Sequence, residues 1–227
     1  MAGEAGELHT AAPPETAHRV ARVLEVERPC VVLGSSQDAT VVDSVRAESA
    51  GVSIARRRSG GGVVWLAPGD QCWVDLWLPA GDPLWVDDVV AAAFWAGEAW
   101  AAAASDLGNT VLGNTVLGNT VLGNNDTVVH RGGLEPTPHS DLVCFAGRGP
   151  GEVFVGNRKL VGISQRRTRD WVRLQTMAYR VWEPGRLVDV LSLTDRERAV
   201  LVTDLGDAAA ALGDPADVID ALRHRLP

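Results

Sequence analysis

The sequence predicts a single domain in which β-strands and α-helices are mixed. Its 227 residues are 46% hydrophobic and 22% charged, so the chain is long and apolar enough for one sizeable core. Residues 71 to 78 alternate between two unlike faces, as a strand does, and residues 86 to 104 carry apolar side chains at helical spacing. We therefore expect both kinds of element to share one core.

Apolar runs bounded by turn residues place the strands along the chain. The predicted strands cover residues 30 to 33, 52 to 55, 63 to 65, 71 to 78, 127 to 130, 153 to 155, 158 to 163 and 171 to 179. Helical spacing and cap residues place the helices, which cover residues 15 to 26, 43 to 48, 86 to 104, 194 to 202 and 214 to 225. We expect residues 1 to 14 to be a flexible leader before one domain that spans residues 15 to 227.

A five-residue repeat follows the long helix. Residues 107 to 121 are three copies of LGNTV, and residues 122 to 125 begin a fourth. A β-solenoid needs several stacked turns to bury a core, and this repeat is too short to supply them. We interpret residues 107 to 126 as a repeat-expanded, exposed loop and assign it no function.

Charge and cysteine content exclude several classes of protein. A net charge of -8 argues against a nucleic-acid or membrane-surface partner, because such proteins need a cationic footprint. Cys30, Cys72 and Cys144 are odd in number and widely spaced, so we expect neither a disulfide framework nor a zinc site. The chain shows no signal peptide and no apolar run of transmembrane length, so the expected location is the cytoplasm.

Two segments carry candidate chemistry. The first, residues 56 to 65, reads RRRSGGGVVW, and its glycines leave room for backbone N–H groups to cup an anion or an apolar acid. An arginine-flanked hairpin turn is the alternative interpretation. The second, residues 153 to 167, reads VFVGNRKLVGISQRR and contains Lys159, the only lysine in the chain. Lysine is a compact point charge on a thin stem, so its use here indicates a role for an ammonium.

Together these two motifs resemble the lipoate-protein ligase branch of the biotin/lipoate A/B protein ligase family. The family signatures are Arg-Arg-x-Ser-Gly-Gly-Gly and Gly-(Arg/Lys)-Lys-x-x-Gly-x-(Ala/Ser), and the resemblance covers about residues 30 to 179. It implies an α+β fold with a mainly antiparallel sheet flanked by helices. It also implies an enzyme that activates lipoate or octanoate with ATP to an acyl-adenylate. The acyl group then passes to a lysine of a lipoyl domain.

The resemblance also implies roles for individual residues. Lys159 would pair with the carboxylate of the acid and the α-phosphate, while Arg56 and Arg57 would bind phosphate. ATP and Mg²⁺ are the implied co-substrates, with Asp141 as the candidate magnesium ligand. The other residues that the resemblance assigns to substrate or ATP binding are Gln37, Ser59, Gly60, Gly61, Gly62, Gly162 and Ser164.

The sequence departs from the ligase pattern in ways that leave alternatives open. Leu66 and Ala67 stand where many ligases have His-Asp, and no large C-terminal accessory domain follows Tyr179. Cys144, followed by phenylalanine, resembles the nucleophile of cysteine-dependent octanoyltransferases, which use octanoyl carrier protein and need no ATP. A buried, inert cysteine is the plainer interpretation of Cys144. A third hypothesis is a non-catalytic acyl-binding protein.

The implied partners are lipoyl-domain proteins, namely the E2 subunits of 2-oxoacid dehydrogenases and the glycine cleavage H protein. Acyl carrier protein is the donor that the octanoyltransferase alternative implies, and a separate accessory subunit is a further candidate. The chain also offers a dense basic patch, which we interpret either as a docking surface for an acidic partner or as a solvated strand face. Its members are Arg166, Arg167, Arg169 and Arg173.

Overall fold

A computed structural model describes residues 1–110, 115–117, 120–122, 127–212 and 215–227. The strands are β1 (Ala2–Gly3), β2 (Val20–Val26), β3 (Cys30–Leu33), β4 (Ser53–Arg56), β5 (Val64–Leu66), β6 (Gln71–Pro79), β7 (Thr115–Leu117), β8 (Thr120–Leu122), β9 (Thr127–Val129), β10 (Val153–Val155), β11 (Arg158–Arg167) and β12 (Trp171–Tyr179). The α-helices are α1 (Ala5–Thr10), α2 (Ser44–Ser49), α3 (Phe94–Thr110), α4 (Pro184–Val188), α5 (Asp195–Leu205) and α6 (Pro215–Arg225).

The main layer is a seven-stranded sheet with the order β1-β2-β6-β12-β11-β10-β9. Every neighbouring pair in this sheet is antiparallel except β1 and β2, which run parallel. A smaller sheet has the order β4-β3-β5. The α+β fold with a mainly antiparallel sheet flanked by helices is therefore confirmed.

The two faces of the main sheet contribute to different cores. On β6, Cys72, Val74, Leu76 and Leu78 belong to the core formed with α3 and α6. Trp73, on the opposite face, belongs to the core formed with the small sheet. The predicted alternation of this strand is thus confirmed, although its eight residues 71–78 are all buried because both faces are covered.

The N-terminal segment differs from its prediction. The expected helix over residues 15 to 26 is the strand β2, in which Leu24 and Val26 are buried and Glu25 between them is exposed. Alternation of this kind suits a strand that pairs with β6. The expected flexible leader instead forms β1 and α1, and Leu8 of α1 is 0% exposed. Burial of that side chain makes the segment part of the core.

Other predicted elements are shifted or joined differently. The long helix begins at Phe94, because Asp88 accepts hydrogen bonds from the backbone N–H groups of Val90 and Ala91 and a short 3₁₀ turn follows. The glycine loop does not close a hairpin, since β3 lies between β4 and β5. Helix α4 was not predicted.

None of the described helices has the length and apolar character needed to span a bilayer.

The repeat segment contains structure that we did not predict. β7 and β8 pair as antiparallel strands within the segment that we expected to be an exposed loop. The rest of the repeat beyond residue 110, and the predicted helix cap Asp214, lie outside the described residues. For α5 the predicted cap is confirmed, because Thr194 and Glu197 form a reciprocal capping box.

Candidate functional site

A cavity of about 450 Å³, including the space at its open mouth, lies between the small sheet and the main sheet. The small sheet contributes Val64 and Leu66 of β5. The main sheet contributes Trp73, Gly162, Ile163, Ser164, Gln175 and Met177. The remaining wall consists of His9, Arg57, Cys144, Phe145 and Glu152. Most of this surface is apolar, so the cavity suits an apolar ligand with a few polar groups near it.

Arg57 holds the glycine loop in place. Its guanidinium is 4% exposed and donates to the carbonyl oxygens of Gly60 and Gly62, each at 2.8 Å. A further bond of 3.3 Å reaches the carbonyl of Val32 in β3. The planar guanidinium can serve several acceptors at once, which explains an arginine at this position. All three of its nitrogen atoms therefore donate to backbone carbonyls.

Arg56 and Gln37 fix a second turn of the site. Arg56 donates to the carbonyl oxygens of Gly34 at 2.8 Å and of Gln37 at 2.6 Å. The Gln37 side chain accepts from the Gly34 N–H at 2.9 Å and donates to the Asp141 carbonyl at 2.9 Å. These bonds join the turn after β3 to the segment that leads to Cys144. Neither the Arg56 nor the Gln37 side chain lines the cavity.

The loop between Arg57 and β5 packs closely against that same segment. A Cβ on Gly62 would lie 2.6 Å from backbone atoms of Leu142 and Val143, so no side chain fits there. Gly61 has φ 96°, a left-handed conformation that glycine adopts without strain. The Ser59 hydroxyl has no such contact. Its Oγ atom is buried, and no described residue forms a hydrogen bond with it.

Lys159 lies just past the tip of the hairpin formed by β10 and β11. The hairpin turns at Gly156, where φ is 56°, and Lys159 stands opposite Phe154. On its other side, the Lys159 N–H donates to Ala208 and its carbonyl accepts from Ala210, both at 2.9 Å. The C-terminal region therefore helps to fix the backbone of the only lysine.

The Lys159 ammonium is buried among three groups of the site. Its Nζ atom lies 2.7 Å from Oε2 of Glu152 and 2.9 Å from the carbonyl oxygen of Cys144. The centroid of the Phe145 ring is 5.4 Å away, within the range of a cation–π contact. Lys159 itself is not among the lining residues, but all three of its partners are. Its ammonium thus lies directly behind the cavity wall.

Cys144 contributes to that wall at the start of a short 3₁₀ turn. Its Sγ lies 3.6 Å from the position that a Cβ on Gly61 would occupy, so the thiol adjoins the glycine loop. Its side chain is partly exposed, in contrast to Cys30 and Cys72, which are buried. Burial raises the pKa of Cys72 to about 12, which keeps that thiol protonated. Cys144 is therefore the cysteine with access to the cavity.

His9 is a wall residue that the sequence analysis missed. Its ring lies 4.5 Å from Trp73, centroid to centroid, and its Nδ1 lies 3.4 Å from Oε1 of Gln175. Burial lowers the pKa of His9 to about 3, the Gln175 hydrogen bond opposes this shift, and the charges of Arg57 and Arg173 add to it. The ring is therefore neutral near pH 7. The apolar pair Ala5 and Leu8, three residues apart, was the available sign of an ordered helix.

Only some of the predicted site residues line the cavity. Arg57, Cys144, Gly162 and Ser164 line the cavity. The glycine loop, Arg56 and Gln37 support the wall from behind, as described above. Glu152, Phe145 and Met177 line it as well, although no role was predicted for them. A Cβ on Gly162 would lie 3.1 Å from the Phe145 ring, so the glycine lets this ring pack closely against β11.

Neither Asp141 nor the predicted basic patch lines the cavity. Asp141 is exposed, and among the described residues no cluster of three His, Cys, Asp or Glu could hold a metal ion. Mg²⁺ often binds one carboxylate together with substrate phosphates, so Asp141 remains a predicted ligand. The predicted basic patch is wrong for Arg173, which is 3% exposed and ion-paired with Asp75. Arg173 also donates to the carbonyl oxygens of Leu8 and His9, because α1 covers it.

Residues 6–181 match the family described as the lipoyl protein ligase A/B catalytic domain. The chain belongs to this family. Its members are enzymes of the ligase family. The matched residues include the glycine loop, Lys159 and every residue that lines the cavity. No curated protein shows a significant sequence match to the chain.

Solved structures of lipoate-protein ligases share the fold of this family member. A bipartite lipoate protein ligase from Thermoplasma acidophilum, studied with its E2 lipoyl domain, superposes with a TM-score of 0.65 at 16% identity, covering 91% of this chain and 69% of that one. A lipoate-protein ligase A bound with ATP gives 0.58 at 19% identity, covering 91% and 70%. A putative lipoate protein ligase from T. acidophilum with bound lipoic acid gives 0.57 at 18% identity, covering 91% and 70%.

Proposed function

We propose that the protein attaches a medium-chain acyl group, lipoyl or octanoyl, to a lysine of a lipoyl domain. The observation that carries this proposal is the apolar cavity lined by Arg57 and Cys144, with the glycine loop and Lys159 directly behind its wall. The acceptors would be the lipoyl domains of 2-oxoacid dehydrogenase E2 subunits and the glycine cleavage H protein. The E2 lipoyl domain studied with the Thermoplasma ligase supports this class of partner.

The first candidate route uses ATP. Lipoate or octanoate would be converted to an acyl-adenylate with release of pyrophosphate, and the acceptor amine would then displace AMP. Family membership and the ATP bound to a structural relative support this route. Lys159 would stabilise the charge that develops at the carboxylate and α-phosphate. Asp141 would contribute a magnesium ligand, with Mg²⁺ neutralising phosphate charge.

The second candidate route uses a thioester and is favoured by the position of Cys144. The Cys144 sulfur would form a bond to the acyl carbon of octanoyl carrier protein, and the carrier thiol would leave with the proton that Cys144 loses. The acceptor amine would next form the amide and return a proton to the Cys144 sulfur. The hydrogen bonds of Arg57 to loop carbonyls also favour a route in which this residue binds no phosphate. Lys159, hydrogen-bonded to the Cys144 carbonyl, would stabilise negative charge nearby.

One experiment separates the two routes and tests the proposal itself. The protein would be mixed with a lipoyl domain and either octanoate with ATP and Mg²⁺, or octanoyl carrier protein without ATP, and the modified domain would be weighed by mass spectrometry. Octanoylation only in the first mixture supports the ligase. Octanoylation in the second, with an octanoyl adduct on Cys144 and none on Cys30 or Cys72, supports the transferase. Failure of both mixtures, with lipoate also inactive, would contradict the proposal and favour a non-catalytic acyl-binding protein.

A further inference from the structure

We infer that Glu152 is a positioning residue, which holds the Lys159 ammonium against the Cys144 carbonyl and sets the charge of the acyl group that the cavity accepts. This inference deepens the proposed function and rests on it for the identity of the acyl ligand. The inference follows from how the carboxylate is held and from what it neutralises.

Glu152 is fixed by the backbone on two sides. Its carboxylate is buried, and Oε2 accepts a hydrogen bond of 2.6 Å from the Gly149 N–H. Its Oε1 atom accepts one of 3.3 Å from the Ile163 N–H of β11. A buried carboxylate with two backbone donors has little freedom to move. Glu152 can therefore act as the fixed point to which the flexible Lys159 side chain is tied.

The pair of Lys159 and Glu152 has no net charge. Among the other polar wall residues, His9 is neutral, and Arg57 keeps its positive charge while its donors bond loop carbonyls. A neutral thioester needs no counter-charge and can enter while the ion pair stays intact. A carboxylate or phosphate gains the Lys159 charge only by competing with Glu152 at 2.7 Å. At Lys159, a neutral acyl donor is therefore accepted without disturbing the ion pair, whereas a free acid must compete with Glu152 for the ammonium.

Substitution Glu152→Gln removes the competing charge and keeps the shape of the side chain. We expect the variant to bind octanoate roughly tenfold more tightly than wild type, because a partly freed ammonium then faces an anion in a poorly screened site. Binding of octanamide, the neutral analogue, should change by less than about twofold, and Glu48→Gln on the exposed side of α2 should change neither affinity. Isothermal titration calorimetry measures all of these. Octanoate binding that is unchanged or weaker in folded Glu152→Gln would overturn the inference.

The single lysine provides a second test that needs no acyl ligand. Protein labelled with ¹⁵N-lysine has one ammonium group, and slow exchange of its protons gives a ¹H–¹⁵N correlation only if the group is shielded and held. We expect this signal in wild type and in Glu48→Gln, and its loss in Glu152→Gln. Its absence from wild type would overturn the positioning role, even if Glu152→Gln does not fold. If wild type gives the signal but binds neither octanoate nor octanamide, the proposed function fails while the positioning role stands.

Discussion

Gly34 and Gly61 meet backbone to backbone, since a Cβ on Gly34 would lie 1.9 Å from the Gly61 carbonyl oxygen. Gly34→Ala must therefore push the glycine loop away from the turn after β3. We expect a loss of about 2 kcal/mol or more in the free energy of unfolding, together with loss of acyl transfer. Gly60→Ala is the matched control, because nothing lies within 4 Å of the Cβ it would add. Denaturant unfolding compares the two, and equal stability would contradict the contact.

The buried ion pair predicts how Lys159 variants behave. Lys159→Ala removes one partner and leaves the Glu152 carboxylate uncompensated, which costs about 3–5 kcal/mol of unfolding free energy. The single variant is therefore a poor test of catalysis, because lost activity and lost stability coincide. The double variant Lys159→Met with Glu152→Gln should recover most of the stability and still lack acyl transfer. Urea titration and the transfer assay measure both properties, and an active double variant would exclude Lys159 from the chemistry.

Local patterns in the sequence predicted much of the fold. The alternation on β6, the two strands on either side of Gly156 and the helix start at Thr194 each depend on neighbouring residues, and all three were found. Strand partners depend on residues far apart, so the insertion of β3 between β4 and β5 was not predictable from the loop that joins them. The helix predicted over residues 15 to 26 failed for the same reason, because pairing with β6 decided its structure.

The candidate site was predictable only where its motifs are contiguous. The glycine loop and Lys159 stand within recognisable segments, whereas His9 and Gln175 reach the cavity from positions 166 residues apart. Glu152 lies seven residues before Lys159 in the sequence, but its ion pair depends on the bulge between Val153 and Phe154 and on the Gly149 turn. The residues around Arg173 in the sequence are typical of an exposed strand face. Its burial depends on α1, which covers it and lies far away in the sequence.

The buried ring of His9 predicts a dependence of stability on acidity. The pKa of His9 is about 3 in the folded protein and about 6.5 when unfolded, so between these values the unfolded chain binds more protons. The contribution of His9 to the free energy of unfolding is fully present above pH 6.5. It is lost as the pH falls towards 3, and the total loss is a few kcal/mol.

His9→Gln isolates this contribution. We expect the free energy of unfolding of this variant to fall less between pH 6.5 and pH 4 than that of wild type, when both are measured by denaturant titration. His224→Gln, at an exposed histidine of α6, should follow the wild-type curve. Parallel curves for wild type and His9→Gln would show that the ring is not buried in its neutral form.

Arg57 and Arg58 are neighbours with opposite surroundings, which makes them a matched pair for testing the loop. Arg57→Lys keeps the charge but replaces a planar group that bonds three carbonyls with a single ammonium, and it leaves buried acceptors unpaired. We expect it to cost about 2–4 kcal/mol of unfolding free energy and to weaken octanoate binding, because Arg57 lines the cavity. Arg58→Lys is exposed and should stay within about 0.5 kcal/mol of wild type. Thermal unfolding and calorimetry measure both effects, and an Arg57→Lys protein as stable as Arg58→Lys would mean that the guanidinium does not hold the loop.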